Sequence, residues 1–174
     1  MRFIALRHGA DKVAMNTAAI ADPDFVDCAA SSVGSQAIVI SIEAKSRENE
    51  HWEVLTDNGR ERTGRDAVEW AHEVEKRGAG EILLTSVDCE GTAKGMDLGL
   101  VKAVRSEVKI PVIASGGVGN LDHIKQVLDP SGAGGADGIA LAHVLHYEHL
   151  TISEIRSMSL AQGYKMRNYP EIVH

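Results

Sequence analysis

The sequence predicts an α/β chain of about five strand–helix units around a parallel sheet. Short apolar runs alternate five times with longer amphipathic stretches, joined by short connections. Hydrophobic residues make up 44% of the chain but aromatics only 4%, so the core is aliphatic and Ala-rich. The run Val112-Ile-Ala114 behind Pro111 is uniformly apolar, as a strand covered on both faces is, and it ends abruptly in Ser115-Gly-Gly-Val-Gly119. Repeated β-α units wind right-handed into either an open doubly wound sheet or a β/α barrel. The turn Gly116-Gly-Val-Gly119 lacks the Gly-x-Gly-x-x-Gly spacing of a dinucleotide-binding sheet, which favours the barrel. A length of 174 residues fits one domain, spanning 1–174.

Met1 to Gly9 reads as the tail of a helix stopped by Gly9. A helix tail without a beginning predicts further chain upstream. Ala10 to Asn16 holds a short strand, with Asn16 and Thr17 at its C-terminal end. Asp22 to Ala30 is an amphipathic helix with Asp22 as N-cap and Pro23 in its first turn. Ile38 to Glu43 is strongly β-branched and ends in a carboxylate. Residues 48–64 predict an inserted β-hairpin, because Trp52–Thr56 is followed by Asn58-Gly59, the strongest two-residue hairpin signal. Arg65 to Arg77 is a helix with Ala67, Val68, Trp70, Ala71 and Val74 on its apolar side and Gly78 as stop. Glu81 to Val87 is the third main strand, and Asp97 to Val108 the helix after it. The fourth strand ends at Ser115, and Asn120 or Asp122 caps the helix from Leu121 to Leu128. Gly138 to Ala142 is the fifth. A turn of helix near His143 to Tyr147 precedes the last helix, from about Ser153 to Ala161, capped by Thr151 or Ser153. The final dozen residues read as a surface tail with Pro170 near its end.

Glycines at the C-terminal end of a parallel strand let backbone N–H groups crowd an anion, because no Cβ keeps it away. Ser115 to Gly119 therefore reads as half of a phosphate site, with a ligand-free tight turn as the alternative. The formal net charge is −7 with no Lys/Arg block. That argues against a nucleic-acid surface and leaves an anion to be held by local backbone groups. Cys28 and Cys89 show no metal-ligand spacing, so neither a disulfide scaffold nor a metal or cofactor is expected, and a reducing cytoplasm fits. No apolar run reaches the length of a membrane span, and no signal peptide precedes the first strand.

The strand ends form an ordered set: Gly9-Ala-Asp-Lys-Val13, Asn16-Thr-Ala-Ala19, Gly34-Ser-Gln36, Thr63-Gly64, Gly78-Ala-Gly-Glu-Ile-Leu-Leu-Thr-Ser86, Asp88 with Gly91-Thr92, Ile113-Ala-Ser-Gly-Gly-Val-Gly119 and Gly135-Ala-Asp137. From about Gly9 to the last helix this resembles the cyclase subunits of imidazole glycerol phosphate synthase, in histidine biosynthesis. The sugar-isomerase barrel of the same pathway is less similar. The resemblance implies a (β/α)₈ TIM barrel of about 250 residues. This chain matches strands four to eight of it. Strands one to three, with the first strand's catalytic Asp, have no counterpart, so an N-terminally truncated partial barrel is expected, inactive alone. Its open edges and apolar inner face imply a homodimer or higher oligomer. The implied reaction joins ammonia from a glutaminase subunit to a bisphosphorylated, ribonucleotide-like substrate. It yields imidazole glycerol phosphate and an aminoimidazole carboxamide ribotide. A non-catalytic partial barrel that binds phosphate or oligomerises is the alternative.

By this resemblance Glu43 takes the place of the second catalytic Asp, one methylene longer; a solvated carboxylate paired with Lys45 is the alternative. Ser115, Gly116, Gly117 and Val118, with Ala142 and His143, take the place of one phosphate grip, although the family has Ser at His143. Asn16 and Thr17 belong to the other grip, or cap a helix. Thr85 is a substrate contact. Asp88 and Glu90, beside Gly91, bond substrate hydroxyls or amides or order their loop; the family has Asp at Glu90. Cys89 is a spectator. Lys12 and Glu81 match an ammonia gate and Asp11 the glutaminase interface, with plain surface charge as the alternative for all three.

Overall fold

A computed structural model describes residues 4–48, 50–132 and 134–166. Its first half runs α1 (Ile4–Arg7), β1 (Val13–Met15), α2 (Thr17–Ala21), α3 (Asp24–Val33), β2 (Ile38–Ser46), β3 (Trp52–Thr56), β4 (Glu61–Asp66) and α4 (Ala67–Lys76). There follow β5 (Glu81–Ser86), α5 (Leu98–Glu107), β6 (Val112–Ser115), α6 (Leu121–Leu128), β7 (Gly138–Ala140), α7 (His143–His146) and α8 (Ile152–Ala161).

The five parallel strands lie in chain order, β1-β2-β5-β6-β7. A doubly wound sheet reverses its order at a switch point; this one does not. Helices α3, α4, α5 and α6 pack against the sheet. One face is closed: Ile38, Ile40, Ile42, Ile82, Leu84, Val112 and Ala114 are all buried. The alternate residues Ser41, Glu43, Leu83, Thr85, Ile113 and Ser115 are half-buried on the other face. Each fully buried Ile or Leu contributes roughly 1.5–3 kcal/mol, so the helix-covered face fixes the register of the open one.

Carboxylates pin the loops between elements. Glu75 Oε1 accepts the N–H groups of Lys109 and Ile110, and Asp137 Oδ2 that of Val112, so the start of β6 is held from both sides. Asp97, Asn120 and Thr151 each cap their helix by a side-chain bond, and Thr151 and Glu154 complete a reciprocal capping box.

The structure departs from expectation at several points. The hairpin strands occupy Trp52–Thr56 and Glu61–Asp66, beyond the expected 48–64. Its turn is four residues long, with Asp57, Asn58 and Gly59 all left-handed (φ 52°, 56° and 75°), a conformation Asp and Asn tolerate. Asp66 ends β4 and caps α4, so that helix starts at Ala67 and not at Arg65. Asp22 is not the side-chain cap of α3; it closes the short helix α2, and its carbonyl accepts the Phe25 N–H. Most of the expected C-terminal tail, with Pro170, lies outside the described residues.

Candidate functional site

Glu43, Thr85, Ser115 and Ala140 are register neighbours on β2, β5, β6 and β7. They form one row across the C-terminal ends of four parallel strands, on the half-exposed face. Beyond the row lies a cavity of about 120 Å³. It is walled by Ser115 to Val118 after β6, by Ala140 to Val144 leading into α7, and by Glu90.

Close backbone approach explains the glycines. Gly116 and Gly117 have φ of +94° and +99°. A Cβ on Gly117 would stand 2.1 Å from the Gly95 carbonyl oxygen, and one on Gly116 would stand 2.8 Å from that of Ser86. The Gly95 N–H donates to the Gly117 carbonyl at 2.8 Å, which clamps the loop after β5 onto the loop after β6. Gly116, Gly117 and Val118 are buried. Among the described residues, no backbone acceptor takes their N–H groups. A buried N–H without a partner costs about 1–3 kcal/mol, so three together call for an acceptor. His143 and Val144, in the first turn of α7, border the same cavity.

Glu43 sits three strand positions from the end of β2, between Leu55 and Thr85. Its Oε2 is buried and has no hydrogen-bond partner among the described residues. Thr85 is half-buried beside it.

The hairpin is tied down over this end of the sheet. The Asn16 amide donates to the Leu55 carbonyl at 3.2 Å, and Thr17 Oγ1 accepts the Asp57 N–H at 3.3 Å. Asn16 stands at the N-cap position of α2, its carbonyl accepting the Ala19 and Ile20 N–H groups, but its side chain makes no capping bond, and its buried Oδ1 has no partner among the described residues. Trp52 Nε1 donates to Asp97 Oδ2 at 2.8 Å, joining the hairpin to the cap of α5. Within the hairpin, Glu53 is 8% exposed and accepts from Arg62, Arg47 and the Gly64 N–H. The guanidiniums of Arg62 and then Arg47 hold its carboxyl down at about 2, against an ordinary 4.5. The pairings of Trp52, Glu53 and Leu55 were invisible in the sequence; an aromatic and a carboxylate adjacent on a hairpin strand were the available signal.

Asp88 accepts the Ser46 N–H at 2.7 Å, so it orders the exit of β2. Gly91 lies in the same loop with φ +71°. Cys89 is half-buried with its Cβ against Gly117. At the opposite, N-terminal end, Lys12 and Glu81 form an ion pair that joins β1 to β5 across β2. Asp11 is exposed beside it. Asn16 after β1 and the glycine loop after β6 thus stand three strand spacings apart, about 14 Å along the sheet.

Among the described residues, no group of three or more His, Cys, Asp or Glu could hold a metal ion, and no helix is long and apolar enough to cross a membrane. The profile of the histidine biosynthesis protein family matches residues 4–151. The imidazole glycerol phosphate synthase subunit HisF of Microcystis aeruginosa is 51% identical over 93% of this chain, and that of Trichormus variabilis 50% over 87%. The corresponding subunit of a Nostoc species is 48% identical over 95%. The chain spans 64%, 59% and 64% of the lengths of these three relatives.

Proposed function

The chain belongs to the histidine biosynthesis protein family, and from that premise we propose that it carries the C-terminal strands, four to eight, of a cyclase barrel of imidazole glycerol phosphate synthase. The reaction joins ammonia, supplied by a glutaminase subunit, to a substrate with a phosphate at each end. The observation that carries this reading is the row Glu43–Thr85–Ser115 beside three buried residues, Gly116, Gly117 and Val118, whose amides meet no backbone acceptor among the described residues. One phosphate lies against Gly116, Gly117 and Val118, with the α7 amides and His143. The other lies at Asn16 and Thr17, three strand spacings or about 14 Å along the sheet, a span that suits a long bisphosphorylated molecule and not a single small anion.

Glu43 then acts as an acid–base group facing the substrate between the grips. Its buried, partnerless oxygen is free to take or return a proton. Thr85 orients the substrate beside it, and Asp88 with Gly91 shapes the loop above. The Lys12–Glu81 pair closes the far end of the barrel, where ammonia enters, and Asp11 faces the glutaminase subunit. The other catalytic carboxylate belongs to the first barrel strand, which residues 1–174 do not match, so this chain alone is expected to be inactive. The outer edges of β1 and β7 and the half-exposed Leu83 and Ile113 favour pairing with a second copy. Sedimentation at micromolar concentration is expected to show a dimer or larger, and a clean monomer ends that part of the proposal.

The activity is tested by joining this chain to the first three β/α units of a relative and assaying ammonia-dependent turnover. Glu43→Gln is expected to lose about 100-fold or more in kcat, on the scale of lost acid–base catalysis, with Glu43→Asp retaining most activity. Equal turnover in all three removes Glu43 from the chemistry. No turnover in the joined wild type leaves the phosphate-binding, non-catalytic alternative.

A further inference from the structure

His123 occupies the third position of α6, and its half-buried ring folds back over the start of the helix. The Gly119 N–H donates to its Nδ1 at 3.1 Å. A Glu or Gln at this position closes a capping box by accepting a backbone N–H ahead of the helix, and here an imidazole takes that role. A backbone N–H only donates, so Nδ1 offers its lone pair and the neutral ring carries its proton on Nε2. Nε2 stands 3.2 Å from Asn120 Nδ2, while Asn120 Oδ1 accepts the His123 N–H at 3.0 Å, so the amide also turns donors towards the ring. The ring backs the clamp between the two loops. Its Nε2 and Cδ2 lie 3.8 Å from the point that a Cβ on Gly95 would occupy, and the Gly95 N–H holds the Gly117 carbonyl at 2.8 Å. Gly119 lies so close to the loop after β5 that a Cβ there would stand 2.1 Å from the Ala93 carbonyl oxygen.

We propose that His123 is a positioning residue whose neutral ring, with Nδ1 unprotonated, holds the turn from Gly116 to Gly119 against the loop after β5, and that a second proton on the ring releases it. The imidazolium has only donors. Both nitrogens then face N–H groups, no acceptor remains for Gly119, and a positive charge sits in the first turn of a helix, where the dipole opposes it. The ring swings away and the turn loses its tie. No charged neighbour replaces that bond. Asp122 on the same helix is paired with Lys125 at 2.8 Å. Asp97, at the start of α5, spends its oxygens on the Leu100 N–H and Trp52 Nε1. Lys94, beside Gly95 in the loop after β5, is itself a cation, and Gly116 to Asn120 carry no charge. The tie does not depend on what the turn binds; to the reading above it adds that the glycine turn keeps its shape only while this ring is neutral.

The test is nuclear magnetic resonance on the ligand-free chain, as wild type, His123→Gln and His123→Phe, across the pH range in which the ring titrates. Gln keeps a side-chain acceptor at the capping position and does not titrate, whereas Phe keeps a ring and has no acceptor. With the ring neutral, the wild-type nitrogen shifts of His123 are expected to show a bare Nδ1 and a protonated Nε2. As the ring takes its second proton, the protection factor of the Gly119 amide should fall about tenfold, the scale of one net hydrogen bond. The amide shifts of Gly95 and Gly117 should move with the same midpoint. His123→Gln should keep Gly119 protected at every pH, and His123→Phe should leave it about tenfold less protected at every pH. A proton on Nδ1 of the neutral ring overturns the proposal. So does Gly119 protection that ignores the ring's titration, that follows the wild-type profile in His123→Gln, or that survives in His123→Phe. No anion enters these measurements, so their failure is distinct from failure of the phosphate site.

Discussion

Gly117→Ala is the sharpest perturbation of the clamp between the loops after β5 and β6. The new Cβ would lie 2.1 Å from the Gly95 carbonyl oxygen, 2.8 Å from its carbon and 3.0 Å from Cys89 Cβ. Two of those three contacts are backbone, which cannot swing aside as a side chain tip can. The residue must also hold φ near +99°, which costs an L-residue about 1–2 kcal/mol. Overpacking adds about 1–3 kcal/mol, so a total near 3 kcal/mol is expected. With a urea slope of about 2 kcal/mol/M, the denaturation midpoint falls by roughly 1.5 M. Gly64→Ala is the control, since Gly64 has φ +72° but nothing within 4 Å of its Cβ position. It should lose only the conformational part, about 1–2 kcal/mol. Equal midpoints for Gly117→Ala and Gly64→Ala would refute the close approach of the two loops.

Trp52→Phe removes the bond to Asp97 and should cost about 1 kcal/mol, with faster amide exchange at Val54 and Leu55; unchanged exchange means the hairpin is held by packing alone. Asp66→Ala removes the acceptor of the Val68 and Glu69 N–H groups and should lower stability by about 1–2 kcal/mol in a urea melt, with Asp66→Asn largely rescuing it. Glu53 has a folded value lowered to about 2 from 4.5, so its contribution is complete above the ordinary value and disappears as pH falls from about 4.5 towards 2. Stability measured across that window should decline, and Glu53→Gln should flatten the decline; parallel curves would place the acid sensitivity elsewhere.

Local chemistry made much of the fold legible in the sequence. The strand at Val112–Ser115 showed in an apolar run closed by glycines, and Asn120 and Thr151 were each one of two candidate caps because a cap needs only a short polar side chain before an amphipathic run, while Asp97, expected as the first helical residue, turned out to be a cap as well. Chain-order pairing of the parallel strands followed from short connections. What stayed hidden depends on reach across the fold. Asn16 was readable as a strand-end polar residue, but its bond to Leu55 arises from the hairpin folding back over β1. Asp22 before Pro23 has the composition of an N-cap, yet the unforeseen helix α2 ends there and uses its backbone. Asn58-Gly59 signalled the hairpin correctly in kind, while the left-handed Asp57 lengthened the turn. At the candidate site, the glycines after β6 announced themselves by residue type. The inward turn of Glu90 did not, because it depends on how one loop lies against another.

The amides of Gly116, Gly117 and Val118 are the seat of the whole functional reading, and nitrogen-15 chemical-shift mapping during titration with glycerol phosphate tests them directly. Saturable shifts that are largest at those three residues and at Val144, and that weaken with added salt, are the expected result. Shifts that fail to saturate, or that gather on Arg47, Arg62 and Arg65 of the hairpin instead, would mean that the anion has no place at the end of β6.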